Sequence, residues 1–246
     1  MKFKKLRIIL IAILAVVFAV SAFHIIKITH DYKTADKANT ELQERFVQET
    51  ESTIEPTADE EQIQAPISID FDALKQENND IVGWIYCPDT PINYPVVKGK
   101  DNNQYLRTDL KGKYLVSGTI FTDYRNGEIG EDHNYIVYGH NMKNATMFGT
   151  LVKYKEQSYY DAHPVLYFLT PEANYIIELS AGAVVKRDSD IYQPTPKDTT
   201  VANITAISTF NSNVELTKED AVITLSTCSY EFSNARYIVI GKLTRI

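Results

Sequence analysis

Cys228 and Arg236 carry the sharpest chemical signal in the chain. Cys228 ends the apolar, β-branched run Ala221-Val222-Ile223-Thr224-Leu225-Ser226-Thr227. A thiol at the end of a strand sits on a rigid element and still meets solvent. Arg236 opens the next such run. Two antiparallel strands joined by the short segment between them bring the guanidinium back beside the sulfur. There it could donate to a developing oxyanion and favour the thiolate, the reactive form of a group whose free pKa is about 8.5. His140 is the natural third member. It follows Tyr135-Ile136-Val137-Tyr138-Gly139, another polar group at a strand end. A Cys–His pair supplies a nucleophile and a general acid/base for acyl transfer. The other histidines are less apt: His24 and His30 lie in or beside an apolar N-terminal stretch, His133 in an acidic turn, and His163 before Pro164. The alternative is ordinary: a half-buried cysteine, a surface arginine and a structural histidine. Cys87 could also bridge to Cys228 in an oxidising compartment, or pack as a small apolar side chain.

These residues need a scaffold. Eight runs rich in Val, Ile, Tyr, Phe and Thr, at 81–86, 92–97, 117–122, 134–138, 165–169, 175–185, 221–227 and 236–243, read as strands separated by turn residues. That number suggests a barrel or a sandwich, so the fold class is mostly β. A short helix is expected over 71–76, capped by Asp70. Residues 146–161 read as a second, with Met147, Leu151, Val152 and Tyr154 on its apolar side. Residues 199–210 read as a third, inside a long connection over 186–220.

The N-terminal segment sets the compartment. Lys2, Lys4, Lys5 and Arg7 precede an uncharged apolar stretch over 8–26. As a helix it spans about 28 Å, close to the roughly 30 Å hydrocarbon core. The basic flank 1–7 stays cytoplasmic and the remainder lies outside. A cleaved signal peptide, with Ala19-Val20-Ser21 as its site, is the rival. Residues 27–66 read as a stalk and linker. Residues 36–50 could form a helix with Leu42, Phe46 and Val47 on one side, and 51–66 a linker containing Pro56 and Pro66. Between Thr40 and Gln62 eight acids stand against one base, Arg45, which suggests a solvated spacer. The folded domain is expected over 67–246.

Composition excludes several classes. The net charge of −7 argues against a nucleic-acid binder, which needs a positive face for phosphates. No Gly-rich phosphate loop occurs among the ten glycines, so no cofactor is implied. Two cysteines make neither a disulfide framework nor a Cys-only zinc site, and no spacing resembles a zinc or calcium motif, so no metal is expected. A non-catalytic anchored module that binds peptide or carbohydrate through some of the 16 tyrosines stays open.

Thr224-Leu225-Ser226-Thr227-Cys228 with Arg236 resembles the active-site signature of the sortases, cysteine transpeptidases of Gram-positive surfaces. Asn134-Tyr135-Ile136-Val137-Tyr138-Gly139-His140-Asn141-Met142 resembles their histidine strand. Val82-Gly83-Trp84-Ile85, Tyr94-Pro95-Val96-Val97 and Gly118-Thr119-Ile120-Phe121 with Asp123-Tyr124-Arg125-Asn126 resemble class B in particular. Ser229-Tyr230-Glu231-Phe232, after the cysteine, departs from the pattern. The resemblance implies a closed eight-stranded β-barrel with added helices. It implies that Cys228 attacks the carbonyl of a Thr in a C-terminal sorting signal, of the Asn-Pro-x-Thr type associated with class B. An amine of a peptidoglycan precursor, or of a pilin, then resolves the thioester. His140 handles the protons and Arg236 holds the oxyanion or the substrate backbone. Asn102 and Leu106 become candidates for the peptide groove, and so does Ser226, which shares a strand face with Cys228. Tyr192 and Ile191 in the long connection could also reach peptide. Simple hydrolysis would use the same side chains.

Overall fold

The structure is a computed structural model that describes residues 2–50 and 64–246. Among the described residues there are ten strands: β1 Val47–Glu49, β2 Ile67–Ile69, β3 Ile81–Tyr86, β4 Asn93–Lys98, β5 Ile120–Thr122, β6 Asn134–Tyr138, β7 Val165–Leu169, β8 Asn174–Lys186, β9 Val222–Cys228 and β10 Ala235–Arg245. The same residues form four α-helices: α1 Lys2–Phe46, α2 Phe71–Glu77, α3 Gln157–Ala162 and α4 Asp198–Ala206.

β3 to β10 close into a barrel in the order β10-β8-β7-β3-β4-β5-β6-β9. Closure leaves no unpaired edge. Two neighbouring pairs, β4 with β5 and β6 with β9, run parallel, and the others are antiparallel. The strands follow from β-branched and aromatic residues whose alternate side chains face opposite sides. Tyr135 and Val137 of β6, Ile223 and Leu225 of β9, and Tyr237 and Val239 of β10 belong to the interior cluster. Their neighbours Ile136, Val222, Ile238 and Ile240 face outward, under the connection between β8 and β9. A second outer cluster joins Trp84, Val97 and Phe121 to Leu74 of α2 and Phe46 of α1. Full burial of one such large apolar side chain is worth roughly 1.5–3 kcal/mol.

α2 begins where Asp70 caps it, its Oδ1 accepting from the Ala73 N–H at 2.9 Å. Other segments differ from the sequence reading. Only 120–122 of the 117–122 run is a strand. Gly118 has φ +57°, and a Cβ there would meet the Leu106 carbonyl oxygen at 2.5 Å, so this backbone turns against the 105–106 segment instead of extending. Residues 146–161 do not form one helix. Ala145 and Met147 take left-handed φ of 62° and 55°, the Phe148 N–H donates to the His140 carbonyl at 3.1 Å, and a 3₁₀ turn at Leu151–Lys155 precedes the short α3. α4 stops at Ala206, short of 210, and the Thr209 N–H donates to the Gly182 carbonyl at 2.7 Å.

The largest departure is at the N-terminus. α1 runs unbroken for 45 residues through the apolar stretch and on to Phe46. Residues 47–49 are not helical but pair with β2. The solvated-spacer reading fails for the end of α1. Ala35 and Phe46 are buried, Gln43 Nε2 donates to the Asn93 carbonyl at 2.7 Å, and Arg45 pairs with Glu77 at 2.5 Å. The apolar side chains of 8–26 are exposed, Phe18 by 76%. This stretch is long and apolar enough to cross a bilayer. Most of the expected linker, 51–63, lies outside the described residues.

Candidate active site

Cys228 ends β9, and its direct cross-strand partner on β10 is Arg236. Side chains of such a pair stand on one face with Cβ atoms about 4.5–5.5 Å apart. Val222 places that face outward, because β9 alternates and Ile223 and Leu225 fill the interior. Both side chains therefore sit on the outer wall of the barrel. Cys228 and Arg236 are both half-buried. Arg236 Nη1 donates to the Ala235 carbonyl at 2.9 Å, and among the described residues the guanidinium makes no ion pair. Among the described residues its remaining donors bond no partner, which leaves them open to an incoming oxygen. The loop between them is anchored by Glu231, which pairs with Lys155 and accepts from Ser229. The Lys155 ammonium, ahead of Ser229, holds the Glu231 carboxyl down at about 2. Both cysteines are free thiols.

The parallel pairing of β6 with β9, with Tyr138 opposite Ser226, carries His140 to the same end as Cys228. Three hydrogen bonds fix the residues around the imidazole. The Gly139 N–H donates to the Ser226 carbonyl at 3.1 Å, Thr227 Oγ1 donates to the Gly139 carbonyl at 2.9 Å, and Asn141 Nδ2 donates to the Cys228 carbonyl at 2.8 Å. A Cβ on Gly139 would meet Phe148 at 2.7 Å, so the tight approach needs glycine. His140 Nε2 lies 2.8 Å from the Leu106 carbonyl. A carbonyl only accepts, so Nε2 carries the proton. Burial lowers the His140 pKa below its ordinary value; the Leu106 carbonyl opposes this and the Arg107 charge adds to it. The neutral imidazole is favoured, with Nδ1 unprotonated.

His140, Cys228 and Arg236 line one cleft of about 470 Å³. Asn102, Leu106 and Ser226 line it too. Leu106 is 38% exposed and offers an apolar surface. Asn102 and Ser226 are already engaged. Asn102 Nδ2 donates to Asp123 Oδ2 at 2.9 Å and its Oδ1 accepts from the Tyr124 N–H at 3.1 Å. Ser226 is 2% exposed and its hydroxyl bonds the Tyr192 hydroxyl at 2.8 Å. Tyr192 lines the cleft, and its ring stacks on Tyr138 with centroids 6.0 Å apart. Ile191 is fully buried and does not line it. Burial pushes the Tyr192 hydroxyl up to about 12.

Sequence reading did not single out the group beneath the cleft. Asp123 is fully buried and accepts from Arg125, Asn102 and Tyr138. Burial alone would raise its carboxyl, but these bonds, led by Arg125, hold it below the ordinary range. The nearest signal was the Asp123-Tyr124-Arg125-Asn126 string. A larger groove, about 940 Å³, opens beside α4 with Val201, Phe210 and Leu216 in its lining. Its lining includes none of Cys228, His140 and Arg236. Among the described residues no group of three His, Cys, Asp or Glu side chains is arranged to hold a metal ion.

Comparison with known proteins gives a consistent picture. The family model described as the sortase domain matches residues 85–244. Sortase B of Listeria monocytogenes is 36% identical over 179 residues, covering 69% of this chain and 72% of the relative. Sortase B of Staphylococcus aureus is 34% identical over 183 residues, covering 72% and 75%. Among solved structures, sortase B from B. anthracis in complex with AAEK1 superposes with a TM-score of 0.72 at 31% identity, covering 89% of this chain and all of that one. A Staphylococcus aureus sortase B–substrate complex superposes with a TM-score of 0.67 at 32% identity, covering 72% and 85%.

Proposed function

The chain belongs to the sortase family and is most like its class B members, and on that premise we propose that it is a membrane-anchored cysteine transpeptidase acting on C-terminal sorting signals. The observation that carries the reading is the joint presence of Cys228, its cross-strand partner Arg236 and His140 on one cleft.

The Cys228 sulfur attacks the carbonyl carbon of a Thr in the bound signal. The carbonyl π electrons move to oxygen, and the Arg236 guanidinium, with its unused donors, stabilises that charge. Collapse of the tetrahedral species breaks the C–N bond and leaves a thioacyl enzyme. The leaving amine takes a proton from His140, which holds the proton released by the thiol. An acceptor amine, from a peptidoglycan precursor or a pilin, then attacks the thioester and gives a proton to His140. The amide forms and the thiol is restored. No cofactor takes part in this cycle.

Membrane anchoring is supported by the exposed apolar stretch of α1, whose side chains a bilayer would cover. The basic residues ahead of it favour a cytoplasmic N-terminus and an extracellular cleft. The domain assignment follows, with basic flank 1–7, anchor 8–26, stalk 27–66 and catalytic domain 67–246. The stalk is not a free tether, because its helical part rests on the barrel.

The test is product analysis. The full chain in detergent, given an Asn-Pro-x-Thr peptide and candidate amines, should yield a new amide at the Thr. Free acid alone, with every amine, would make the protein a hydrolase. No cleavage across a peptide library would remove the activity and leave a binding module.

A further inference from the structure

We infer that Asp123 and Arg125 form a clasp that joins the two walls of the cleft and so sets its width for the peptide. The inference rests on the sorting-signal reading above and adds positioning residues to it.

One wall is the segment that carries Asn102 and Leu106. The other carries Tyr192. They come from distant parts of the chain, and neither belongs to a barrel strand. Both are tied to one carboxylate. Asn102 Nδ2 donates to Asp123 Oδ2 at 2.9 Å. On the other side the Arg125 guanidinium grips Asp123 with two parallel bonds, Nε to Oδ1 at 2.8 Å and Nη2 to Oδ2 at 2.9 Å. The same Nη2 donates onward to the Tyr192 carbonyl at 2.6 Å, and Nη1 reaches Gln193 Oε1 at 3.3 Å. Tyr138 completes the set, its hydroxyl donating to Asp123 Oδ2 at 2.9 Å while its ring stacks on Tyr192.

A fully buried carboxylate is costly unless charge and hydrogen bonds compensate it. Here they do so, and the compensation runs through both walls. A planar guanidinium forked onto a carboxylate fixes direction as well as distance, which lysine cannot do. His140 has anchors outside the first wall, since the Gly139 N–H donates to the Ser226 carbonyl and Thr227 Oγ1 to the Gly139 carbonyl, so the Leu106 carbonyl is not what alone places the imidazole. The Tyr192 segment has a second anchor: buried Asn134 accepts from Thr224 at 2.7 Å, and its Nδ2 donates to the Ile191 and Gln193 carbonyls at 2.7 and 3.1 Å. Loosening the clasp therefore lets the Asn102 wall shift against the Tyr192 segment, which Asn134 still holds, and leaves Cys228 and Arg236 on their intact ladder. Asp123 and Arg125 are positioning residues, and their effect falls on peptide binding more than on the intrinsic reactivity of the thiol.

The experiment uses the full chain in detergent as wild type, Asp123→Asn, Arg125→Met and Arg125→Lys, with an Asn-Pro-x-Thr peptide as substrate. Cys228 alkylation by iodoacetamide, which needs no groove, is measured in parallel on a Cys87→Ala background. Arg125→Met and Asp123→Asn should raise KM at least tenfold and lower kcat less than threefold. Alkylation should stay within twofold, and Arg125→Lys should recover only part of the loss. The double variant should be no worse than the worse single, as expected of groups acting as a unit. An unchanged KM in folded variants overturns the clasp. So does a parallel fall in alkylation and turnover, which would mean general structural damage. If these variants do not fold, Asn102→Ala and Gln193→Ala each remove one bond of the clasp, and each should raise KM two- to fivefold; unchanged KM in both overturns it. Wild-type protein that never acylates Cys228 would sink the sorting-signal reading itself, and the clasp with it.

Discussion

Cys87 and Cys228 stand in similar sequence and in opposite surroundings. Each lies at the C-terminal end of a strand rich in β-branched residues, Cys87 just after β3 and Cys228 as the last residue of β9. Cys87 is fully buried, its sulfur 3.8 Å from the Tyr154 hydroxyl and 3.7 Å from the Val165 carbonyl. Burial pushes its thiol up, away from the reactive form. Cys228 is half-buried, opposite a guanidinium that makes no ion pair among the described residues, on the wall of a cleft. Residue type and strand position are shared. Access and neighbours decide which sulfur can act as a nucleophile.

The contrast can be broken most sharply by deletion. Cys228→Ala should lower sorting-peptide cleavage by at least about a thousandfold, since covalent catalysis has no substitute on that wall. Cys87→Ala should leave turnover within about twofold. Turnover surviving Cys228→Ala, in a parallel peptide assay, would exchange the two roles. Arg236→Lys comes next. It should cost about a hundredfold in kcat, the scale of losing an oxyanion donor, because the ammonium lacks the planar fork. Steady-state kinetics near wild type would detach Arg236 from the chemistry.

Thiol labelling sharpens the comparison without substrate. In native protein, Cys228 should react with iodoacetamide at least about tenfold faster than Cys87, and denaturant should bring the rates together. Peptide mapping of the labelled protein reads this directly. The smallest effect is on stability. Cys87→Ala should cost about 1 kcal/mol through the lost packing of a buried sulfur, measured by denaturant titration.

Acid tests the buried counterpart of the exposed site. Asp123 is held below its ordinary value of 3.8, so the unfolded chain binds its proton first as pH falls. Its stabilisation is full above about pH 4 and is lost as pH drops through the lowered folded value. Asp123→Asn should remove that part of the acid limb in a melting-temperature series. His140 has the same sign at higher pH. Its folded pKa lies below the ordinary 6.5, so its contribution is full above that value and declines as the imidazole is forced to charge.

Much of this was legible in the sequence. The eight barrel runs announce themselves through β-branched and aromatic residues, because each strand has a core-facing side that needs them. Cys228, His140 and Arg236 stand out because each ends or opens such a run, and the cleft gathers all three. What failed was local shape. The spacing of Met147, Leu151, Val152 and Tyr154 imitates a helix. Those side chains are buried or partly so for another reason, as the backbone folds back with left-handed Ala145 and Met147 to bond His140. The acidic stalk looked solvated because its charges dominate the count. Its few apolar residues, above all Phe46, suffice to fix the end of α1 on the barrel. The Asp123–Arg125 pair was invisible as a site, because its meaning lies in three segments converging from far apart. No spacing rule encodes such convergence.

The most direct test is the mass of the enzyme after rapid quenching with an Asn-Pro-x-Thr peptide. An acyl adduct retaining the peptide up to its Thr, mapped to Cys228 and released as amide by an added amine, is the predicted result. An adduct on Cys87, or none while cleavage proceeds, would contradict the account.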